Sequence, residues 1–547
     1  MSLTPRLSYL YDFYVSGGFI YTEFTRRRGV PAGAPEISGV IMRAFKRLFL
    51  CSAAGLVAAA NAHAADLPVK AKPIEYVKVC TLYGAGFWYV PGTDTCLKIG
   101  SYVREQVEWN AADGGRPIGF GNNDEATAGR FDRTDTSQLN FRTRAAIGVD
   151  LRTQTEYGVL RSYLHGGFET KTEAGSGPKN DVVYFNRGFV QFAGLTAGRI
   201  RSYFDINSFS PYSYEKASVI SGDTGAKGIW GIAYTAQLGN GMSASLSFED
   251  GGSTSQGNNG GQNSARGHLV SNLSIPGEFG LGTTSYDNEG WKIPDIVGNL
   301  RIDQAWGYAQ VAAALHDASG GYYTAAAGDA CGANAFCQNL GHPGDAYGWA
   351  ATGGFTLNNA LGFRGDRVGA QATYSQGAAG YVTRSTGPFQ LYGSGNSAAF
   401  GWITDGVFVS GSSIQLTTVW GVNGFYQHFW NPKWRTSLYG GYVEVDYGAT
   451  ATAMMCPAGG GVSAAVKMTG VSHCSPDFSW WQVGSRTQWN PHPDLDIGVD
   501  VVLSHLNTAF AGTATLAANG ARPGGVYRIE DQDVLSVLFR IQRNFLP

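Results

Sequence analysis

The sequence has little charge. Only 15% of its 547 residues are Asp, Glu, Lys or Arg, against about 25% in an ordinary soluble domain. Neither sign of charge dominates, because the chain has 40 basic and 42 acidic residues and a net charge of −2. A nucleic-acid binder built on a basic face is therefore excluded. Aromatic residues, at 13% of the chain, argue against intrinsic disorder.

Long hydrophobic runs and catalytic signatures are also lacking. The longest apolar run, Leu48 to Ala60, has 13 residues, whereas a membrane-spanning helix needs about 20. The sequence contains no GxSxG elbow, HExxH pair or phosphate-binding lysine motif, and its nine histidines are scattered. We therefore expect neither a helical membrane protein nor an enzyme, and no cofactor. A barrel-shaped lipase is an alternative that these residues do not support.

An export signal is indicated near the N-terminus. Met42 to Arg47 is positively charged, Leu48 to Ala60 is apolar, and Ala62-His63-Ala64 fits a cleavage site. Because this order is that of a secretory signal peptide, residues 42–64 are predicted to be removed and the mature chain to begin at Ala65. A buried helix is the alternative interpretation of the apolar run.

The cysteines form sequence-local pairs. Cys51 lies in the signal peptide, and the other six form the pairs Cys80/Cys96, Cys331/Cys337 and Cys456/Cys474. Many pairings are possible, but closing a short loop costs the least chain entropy. Three disulfides between neighbours are therefore predicted, in an oxidising compartment such as the periplasm or cell surface. The alternative is zinc, which no CxxC or paired-histidine spacing supports, so no metal is expected.

The remaining chain alternates like a series of β-hairpins. From Ile229 to Leu238 apolar residues alternate with small or polar ones, Gly239-Asn240-Gly241 forms a turn, and Met242 to Glu249 alternates again. Alternation around an Asn-Gly turn is the strongest local signal of a hairpin. Strands of about ten residues have the length that a tilted strand needs to cross a bilayer.

Sixteen such strands are predicted. They lie near residues 97–109, 136–150, 156–169, 182–193, 196–204, 228–238, 241–250, 294–305, 308–317, 346–358, 366–380, 413–429, 435–447, 477–490, 495–508 and 532–545. Short turns alternate with long polar loops, as in outer-membrane barrels. A secreted β-sandwich is the alternative, but its connections need not alternate in length. The predicted fold is an all-β, 16-stranded antiparallel transmembrane β-barrel with short periplasmic turns and long outer loops.

A barrel of this size can hold an aqueous channel, so its polar faces are expected to point into water. The charged residues on these faces are mainly arginines. Those predicted to line a constriction are Arg104, Arg142, Arg144, Arg161, Arg199, Arg201 and Arg540, and Arg301 and Arg486 are also expected to point inward. The alternative is that all of them are ordinary solvated charges.

The segment 205–228 follows these arginines and carries Asp205, Glu215 and Asp223. It is predicted to fold into the lumen and place its carboxylates opposite the arginines. Because clusters of charge let pores select ions, these three acids are expected to share the constriction.

Six stretches of sequence resemble one family. They are Ala65–Pro68, Tyr83–Cys96, Phe189–Gly194, Trp430–Leu438, Thr487–Asn490 and Asp531–Val534. Together they resemble the alphaproteobacterial porins common in rhizobia and their relatives. The resemblance implies a homotrimeric general diffusion porin in the lipid of a Gram-negative outer membrane, passing small hydrophilic solutes and ions. It also implies a third outer loop folded inward, at 205–228.

The predicted organisation has four parts. Residues 1–41 are expected to be a spurious N-terminal extension, 42–64 the signal peptide, 65–96 an N-terminal periplasmic or loop segment, and 97–547 the barrel. A substrate-specific channel is the nearest alternative function, followed by a structural or adhesive barrel. A ligand-gated transporter would need about 22 strands and a plug domain.

Overall fold

The computed structural model describes most of the chain beyond residue 77. The described residues are 78–109, 119–120, 139–172, 178–207, 211–214, 222–225, 228–250, 266–277, 279, 287–290, 292–325, 331–332, 336–383, 388–393, 395–458, 461–518 and 523–545. The predicted N-terminal extension, signal peptide and start at Ala65 lie outside the described residues and stay predictions.

Sixteen strands form one closed antiparallel barrel, which confirms the predicted fold. They are β1 (Thr95–Trp109), β2 (Leu139–Thr155), β3 (Gly158–Thr172), β4 (Pro178–Phe192), β5 (Leu195–Ile200), β6 (Ile229–Gly239), β7 (Met242–Glu249), β8 (Asp295–Gln304), β9 (Gly307–Asp317), β10 (Tyr347–Asn358), β11 (Arg367–Gln376), β12 (Thr418–Asn431), β13 (Trp434–Asp446), β14 (Phe478–His492), β15 (Leu495–Asn507) and β16 (Gln532–Phe545). Each strand pairs with the next in sequence, and β1 also pairs with β16, which closes the barrel.

Sequence alternation separates the two faces of the barrel wall. On β6, Trp230, Ile232 and Tyr234 are each more than half exposed, whereas Ala233 is buried. Successive side chains of a strand point to opposite faces. The apolar residues therefore lie on the outside of the barrel, and the small or polar residues face the lumen.

The turn between β6 and β7 shows why the sequence signal was reliable. Asn240 and Gly241 have φ angles of 50° and 76°, and a type I′ turn requires positive φ at both central residues. A Cβ atom on Gly241 would also collide with the carbonyl oxygen of Asp303. Both the positive φ angle and the lack of room for a Cβ atom therefore favour glycine at position 241.

The connections are short at one end of the barrel and mostly long at the other. Pro432 and Lys433 alone separate β12 from β13, and Asn240 and Gly241 alone separate β6 from β7. The longest connections follow β7 and β11 and leave from the opposite end. Short periplasmic turns and long outer loops are therefore found as predicted.

The outer connections fold into a packed layer, the outer cap, which comprises residues 119–120 and the described parts of 266–290, 388–417, 447–477 and 508–531. Its strands form two small sheets, made by Val270–Asn272, Gly406–Phe408 and Gln415–Leu416, and by Gly470–His473, Ala511–Leu516, Gly525–Ile529, Ser397–Trp402, Pro388–Gly393 and Gly119–Phe120. Helix α1 (Gly448–Met455) belongs to the same layer and buries Ala451 and Met455 in its apolar cluster. The side chains of Tyr392, Phe400 and Trp402 are fully buried in one apolar cluster. No helix among the described residues is long and apolar enough to span a bilayer.

All three predicted disulfides are present. Cys80–Cys96 joins the segment before β1 to that strand, and Cys331–Cys337 closes a loop between β9 and β10. Within the cap, Cys456–Cys474 joins the end of α1 to the end of the strand Gly470–His473. Each bond joins neighbours in sequence, as the loop-closure argument predicted.

Candidate channel constriction

The inward segment, residues 201–228, runs along the inside of the barrel after β5. Its described parts are 201–207, 211–214, 222–225 and 228. The Asn207 amide oxygen accepts hydrogen bonds from Thr356 Oγ1 (2.9 Å) and Tyr308 OH (3.1 Å). Its amide nitrogen donates to the Ala370 carbonyl oxygen at 3.1 Å. The first part of the segment is therefore fixed against β9, β10 and β11.

A second attachment point is Asp500 on β15. Ser213 Oγ donates a hydrogen bond to Asp500 Oδ2 at 2.9 Å, and the Tyr214 backbone N–H donates to the same oxygen. Tyr439 OH donates to the other oxygen at 2.6 Å. Asp500 is fully buried, so its charge depends on these donors and stabilises the segment in return.

Two wall arginines contact the backbone of the inward segment. Arg486 donates to the Pro211 carbonyl oxygen at 2.7 Å, and Arg540 donates to the Tyr214 carbonyl oxygen at 3.1 Å. The guanidinium carbon of Arg540 lies 4.0 Å from the centroid of the Tyr214 ring. Arg540 therefore contacts the inward segment. Its partners there are the carbonyl group and the ring of Tyr214, whereas an acid was predicted.

The acids of the segment are placed differently from the prediction. The Asp205 side chain is fully buried and pairs with Arg266 at 2.8 Å, and Thr224 N donates to it at 2.8 Å. Asp223 is only 4% exposed. The prediction that Asp205 and Asp223 line the open channel is wrong, because the Asp205 carboxylate is paired inside the base of the segment and Asp223 is buried. Glu215 lies outside the described residues and stays a prediction.

Four of the predicted arginines lie together on the lumen side of β1, β2 and β3. Arg142 NH2 lies 2.6 Å from Glu169 Oε2, and Arg144 pairs with the same oxygen. Arg161 NH2 lies 2.9 Å from Asp150 Oδ2. The fourth, Arg104, donates to Gln542 Oε1 on β16 at 2.7 Å. Neighbouring strands thus bring these four arginines together, and their role in a constriction stays a prediction.

The sequence analysis missed the carboxylates that separate these arginines. Asp150 lies between Arg152 (2.8 Å) and Arg161 on the lumen face, and Glu169 lies between Arg142 and Arg144. Both acids fall on the inward positions of their strands, so the alternation that located the arginines also identifies them.

Aromatic rings support the same row of arginines. The Arg104 guanidinium lies 4.6 Å from the Tyr102 ring centroid, and that of Arg144 lies 4.4 Å from the Tyr184 ring centroid. Stacking of this kind is favourable and limits the motion of the guanidinium group. The arginines are therefore held in fixed positions along the wall.

The structure places Arg199 on the outer face of the barrel, contrary to the prediction. Its Cα partners are Gly188 and Trp230, and its guanidinium lies 4.7 Å from the Trp230 ring centroid on the outer face. Thr196, three positions earlier, faces the lumen and accepts a hydrogen bond from Gln191. Residues an odd number apart point to opposite faces, so Arg199 points outward and the predicted constriction role is wrong.

The error arose from the length of the strand. The prediction extended β5 to residue 204, but the strand ends at Ile200. Arg201 therefore belongs to the inward segment, where its side chain is 42% exposed and its Nε lies 3.6 Å from Asp205 Oδ2. The alternation was counted past the true end of the strand, and Arg199 was therefore assigned to the wrong face.

The lumen face of β1 to β4 carries more positive than negative charge. Among its described side chains, the cations are Lys98, Arg104, Arg142, Arg144, Arg152, Arg161, Lys171 and Arg187, and the anions are Glu108, Asp150 and Glu169. We call this surface the arginine wall. Its excess charge attracts anions, and low-dielectric surroundings strengthen that attraction.

Comparison with known proteins identifies the family. The family described as "Porin subfamily" matches residues 66–538. Porin Omp2b of Brucella abortus (strain 2308) is 32% identical over 268 residues, which cover 48% of this chain and 63% of that relative. Porin Omp2b of Brucella suis biovar 1 (strain 1330) matches over the same shares. The matched region is thus less than two thirds of either relative.

A solved structure shares the fold. The crystal structure of the outer membrane channel DcaP of Acinetobacter baumannii has a TM-score of 0.52 and 15% identity, covering 84% of this chain and 99% of that one. At that identity the likeness concerns the fold alone. The family match, which extends over most of the sequence, shows that the chain belongs to the porin subfamily.

Proposed function

We propose that the chain is a general diffusion porin, a passive water-filled channel for small hydrophilic solutes and ions across the outer membrane. The observation that carries this proposal is the placement of the inward segment. It is attached to β9–β11 and β14–β16, and the partly exposed Arg144, Arg152 and Arg161 lie on the opposite part of the wall. A passage between them needs no moving part and no binding step.

We further propose that this channel prefers anions. Among the described side chains of the arginine wall the cations outnumber the anions, and the Asp205 carboxylate is paired with Arg266 away from the open channel. Beside the wall, where it contacts Arg540 of the neighbouring strand β16, the segment presents the Tyr214 ring and the Tyr214 carbonyl group, which carry no full charge.

A substrate-specific channel is the second candidate. The observation in its favour is the row of arginines stacked on Tyr102, Tyr163 and Tyr184, since such a row is suited to anionic solutes. A specific channel would saturate with its solute, whereas a diffusion porin would not.

Single-channel recording of the purified protein in planar bilayers tests the proposal. We expect large, ohmic current steps and uptake of neutral sugars into liposomes at rates set by size. Absence of current steps, or a flux that saturates with one anion and excludes neutral sugars of the same size, would refute a general diffusion porin.

We also propose how the chain is exported and how it assembles. The chain is proposed to lose residues 42–64 on export and to be made without 1–41.

It is also proposed to form a homotrimer in outer-membrane lipid. Support for assembly comes from Arg199 and Glu105, which point outward, because an arginine facing lipid at mid-membrane costs about 2–4 kcal/mol. A subunit interface over β1 to β5 would remove them from lipid.

A further inference from the structure

Three ligand-type side chains meet where the outer cap joins the barrel. Asp295 begins β8, His316 lies near the outer end of β9, and His268 comes from the connection between β7 and β8. One potential ligand atom from each lies within 4.8 Å of those of the other two. All three residues are at most 3% exposed. We propose that His268, Asp295 and His316 bind a divalent transition-metal ion of the zinc type.

The donor atoms suit such an ion. Zinc binds imidazole nitrogen and carboxylate oxygen at about 2.0–2.2 Å, so two ligand atoms of a tetrahedral site lie about 3.3 Å apart. His316 Nδ1 lies 2.9 Å from Asp295 Oδ1, and a small separation of the pair would admit the ion. The His268 and His316 rings are perpendicular with centroids 5.0 Å apart. Nitrogen atoms of two perpendicular rings can converge on one ion without stacking of the rings.

A second layer of partners orients these ligands. His316 Nε2 lies 3.3 Å from Asp405 Oδ2, and Tyr381 OH donates to Asp295 Oδ2 at 2.6 Å. Metal-binding histidines usually donate their second ring N–H to a carboxylate, which fixes the ring and raises its basicity. Asp405 is itself fixed by the backbone N–H groups of Leu269 (2.8 Å) and Ala379 (2.7 Å).

The charge of the surroundings favours a divalent ion. The carboxylates of Asp295 and Asp405 have no exposed area and lie on either side of His316. Nearby Arg266 pairs with Asp205 at 2.8 Å. A divalent ion would balance the charges of these two carboxylates. Buried charge is tolerated only when it is paired.

The alternative for this cluster is a metal-free bridge in which protonated His316 joins the two aspartates. Metal content separates the two possibilities. The full-length protein, purified in detergent, would be stripped with EDTA, incubated with zinc chloride, desalted and analysed by mass spectrometry of the metal. We expect one zinc per chain, and a tenfold or greater reduction in His268→Gln and in Asp295→Asn. Folding of each variant would be judged by its gel mobility before and after heating. If a variant fails to fold, Co²⁺ binding to the wild type takes its place as the test.

His505→Gln is the matched control, because His505 also pairs with an aspartate, Asp533 at 2.8 Å, but lies outside the cluster. It should bind zinc like the wild type. Co²⁺ added to the stripped wild type should give the visible absorption of a tetrahedral site, and zinc should abolish it. Wild-type protein that binds no zinc, or His268→Gln protein that binds as much as the control, would overturn the metal site and leave the metal-free bridge. Neither result depends on whether the channel conducts.

Discussion

Arg540 donates a hydrogen bond to the carbonyl oxygen of Tyr214 at 3.1 Å, and its guanidinium carbon lies 4.0 Å from the centroid of the Tyr214 ring. The last strand of the barrel therefore holds the segment that follows the fifth strand. Since β16 also pairs with β1, the bonds that close the barrel and those that place the inward segment share one strand.

Asp500→Asn should loosen this segment. Asp500 accepts hydrogen bonds from Ser213 and Tyr214, and a hydrogen bond to a charged group contributes about 1.5–3 kcal/mol. Removing the charge weakens both bonds while the shape of the side chain is kept. We expect a larger and noisier open-channel current in single-channel recordings, and faster proteolysis between residues 201 and 228.

Asp303→Asn is the control for this change. Asp303 is also a wall aspartate, and its carboxylate is bonded to Arg301 at 2.7 Å. Its side chain is 55% exposed. If Asp303→Asn altered the current as much as Asp500→Asn, the inward segment would not depend on Asp500.

Alternation of apolar and polar residues predicted the barrel. Each strand has one face in lipid and one in water, so the polarity of every residue reflects the face on which it lies. The disulfides followed from chain entropy, since each joins close neighbours. The turn at Asn240 and Gly241 was predictable because its backbone angles select the residue type. In these cases the information is local.

The contacts of the inward segment could not be predicted in the same way. Asp205 pairs with Arg266, 61 positions away, and Ser213 pairs with Asp500, 287 positions away. No period links such residues, so Asp205 was expected to face water. The packed core of the outer cap was missed for a similar reason, because Trp402 and Phe510 come from different connections that read as separate polar loops.

The arginine wall should set ion preference. Arg142→Gln with Arg144→Gln should shift the reversal potential in a potassium chloride gradient toward cation preference, and Glu169→Gln should shift it toward anions. Charge in a channel with low-dielectric walls acts on passing ions more strongly than in bulk water. Both shifts should shrink in 1 M salt, where the Debye length is about 3 Å.

Arg543→Gln is the control, because it removes a positive charge from the outer face of the barrel. Arg543 lies on β16 but is exposed and points outward, since it is three positions from Arg540. We expect its reversal potential to equal that of the wild type. A double variant at Arg142 and Arg144 that behaved like Arg543→Gln would show that the arginine wall does not control selectivity.

Arg199→Leu should weaken the trimer. If the outer face of β5 lies between subunits, the loss of a buried polar partner lowers the temperature at which the trimer dissociates on gels. Arg199→Lys should have a smaller effect because it keeps the charge. If the face instead met lipid, leucine would remove a cost of about 2–4 kcal/mol and the dissociation temperature would not fall. An unchanged or higher temperature would therefore place the subunit interface elsewhere.

Asp287 makes the stability of the outer cap depend on pH. Burial raises the pKa of this carboxyl from 3.8 to about 6, although a hydrogen bond from Asn272 N (3.0 Å) favours its charged form. Because the pKa is higher in the folded cap than in the unfolded chain, the neutral acid favours folding. The resulting stabilisation is complete below the unfolded value and is lost as the pH rises to about 6. A change of about two pKa units corresponds to about 3 kcal/mol.

Asp287→Asn should remove this dependence, since the amide stays neutral at every pH and still accepts the hydrogen bond from Asn272. Hydrogen exchange of the backbone of residues 266–277, corrected for the intrinsic rate, measures the free energy of local opening. In the wild type that free energy should fall between pH 4 and pH 7, and in Asp287→Asn it should stay nearly constant and be higher at pH 7. Asp345→Asn, an exposed aspartate of another outer connection, should behave as the wild type. A wild-type opening free energy that does not change over this range would mean that the Asp287 carboxyl ionises without cost, and hence that water reaches it inside the cap.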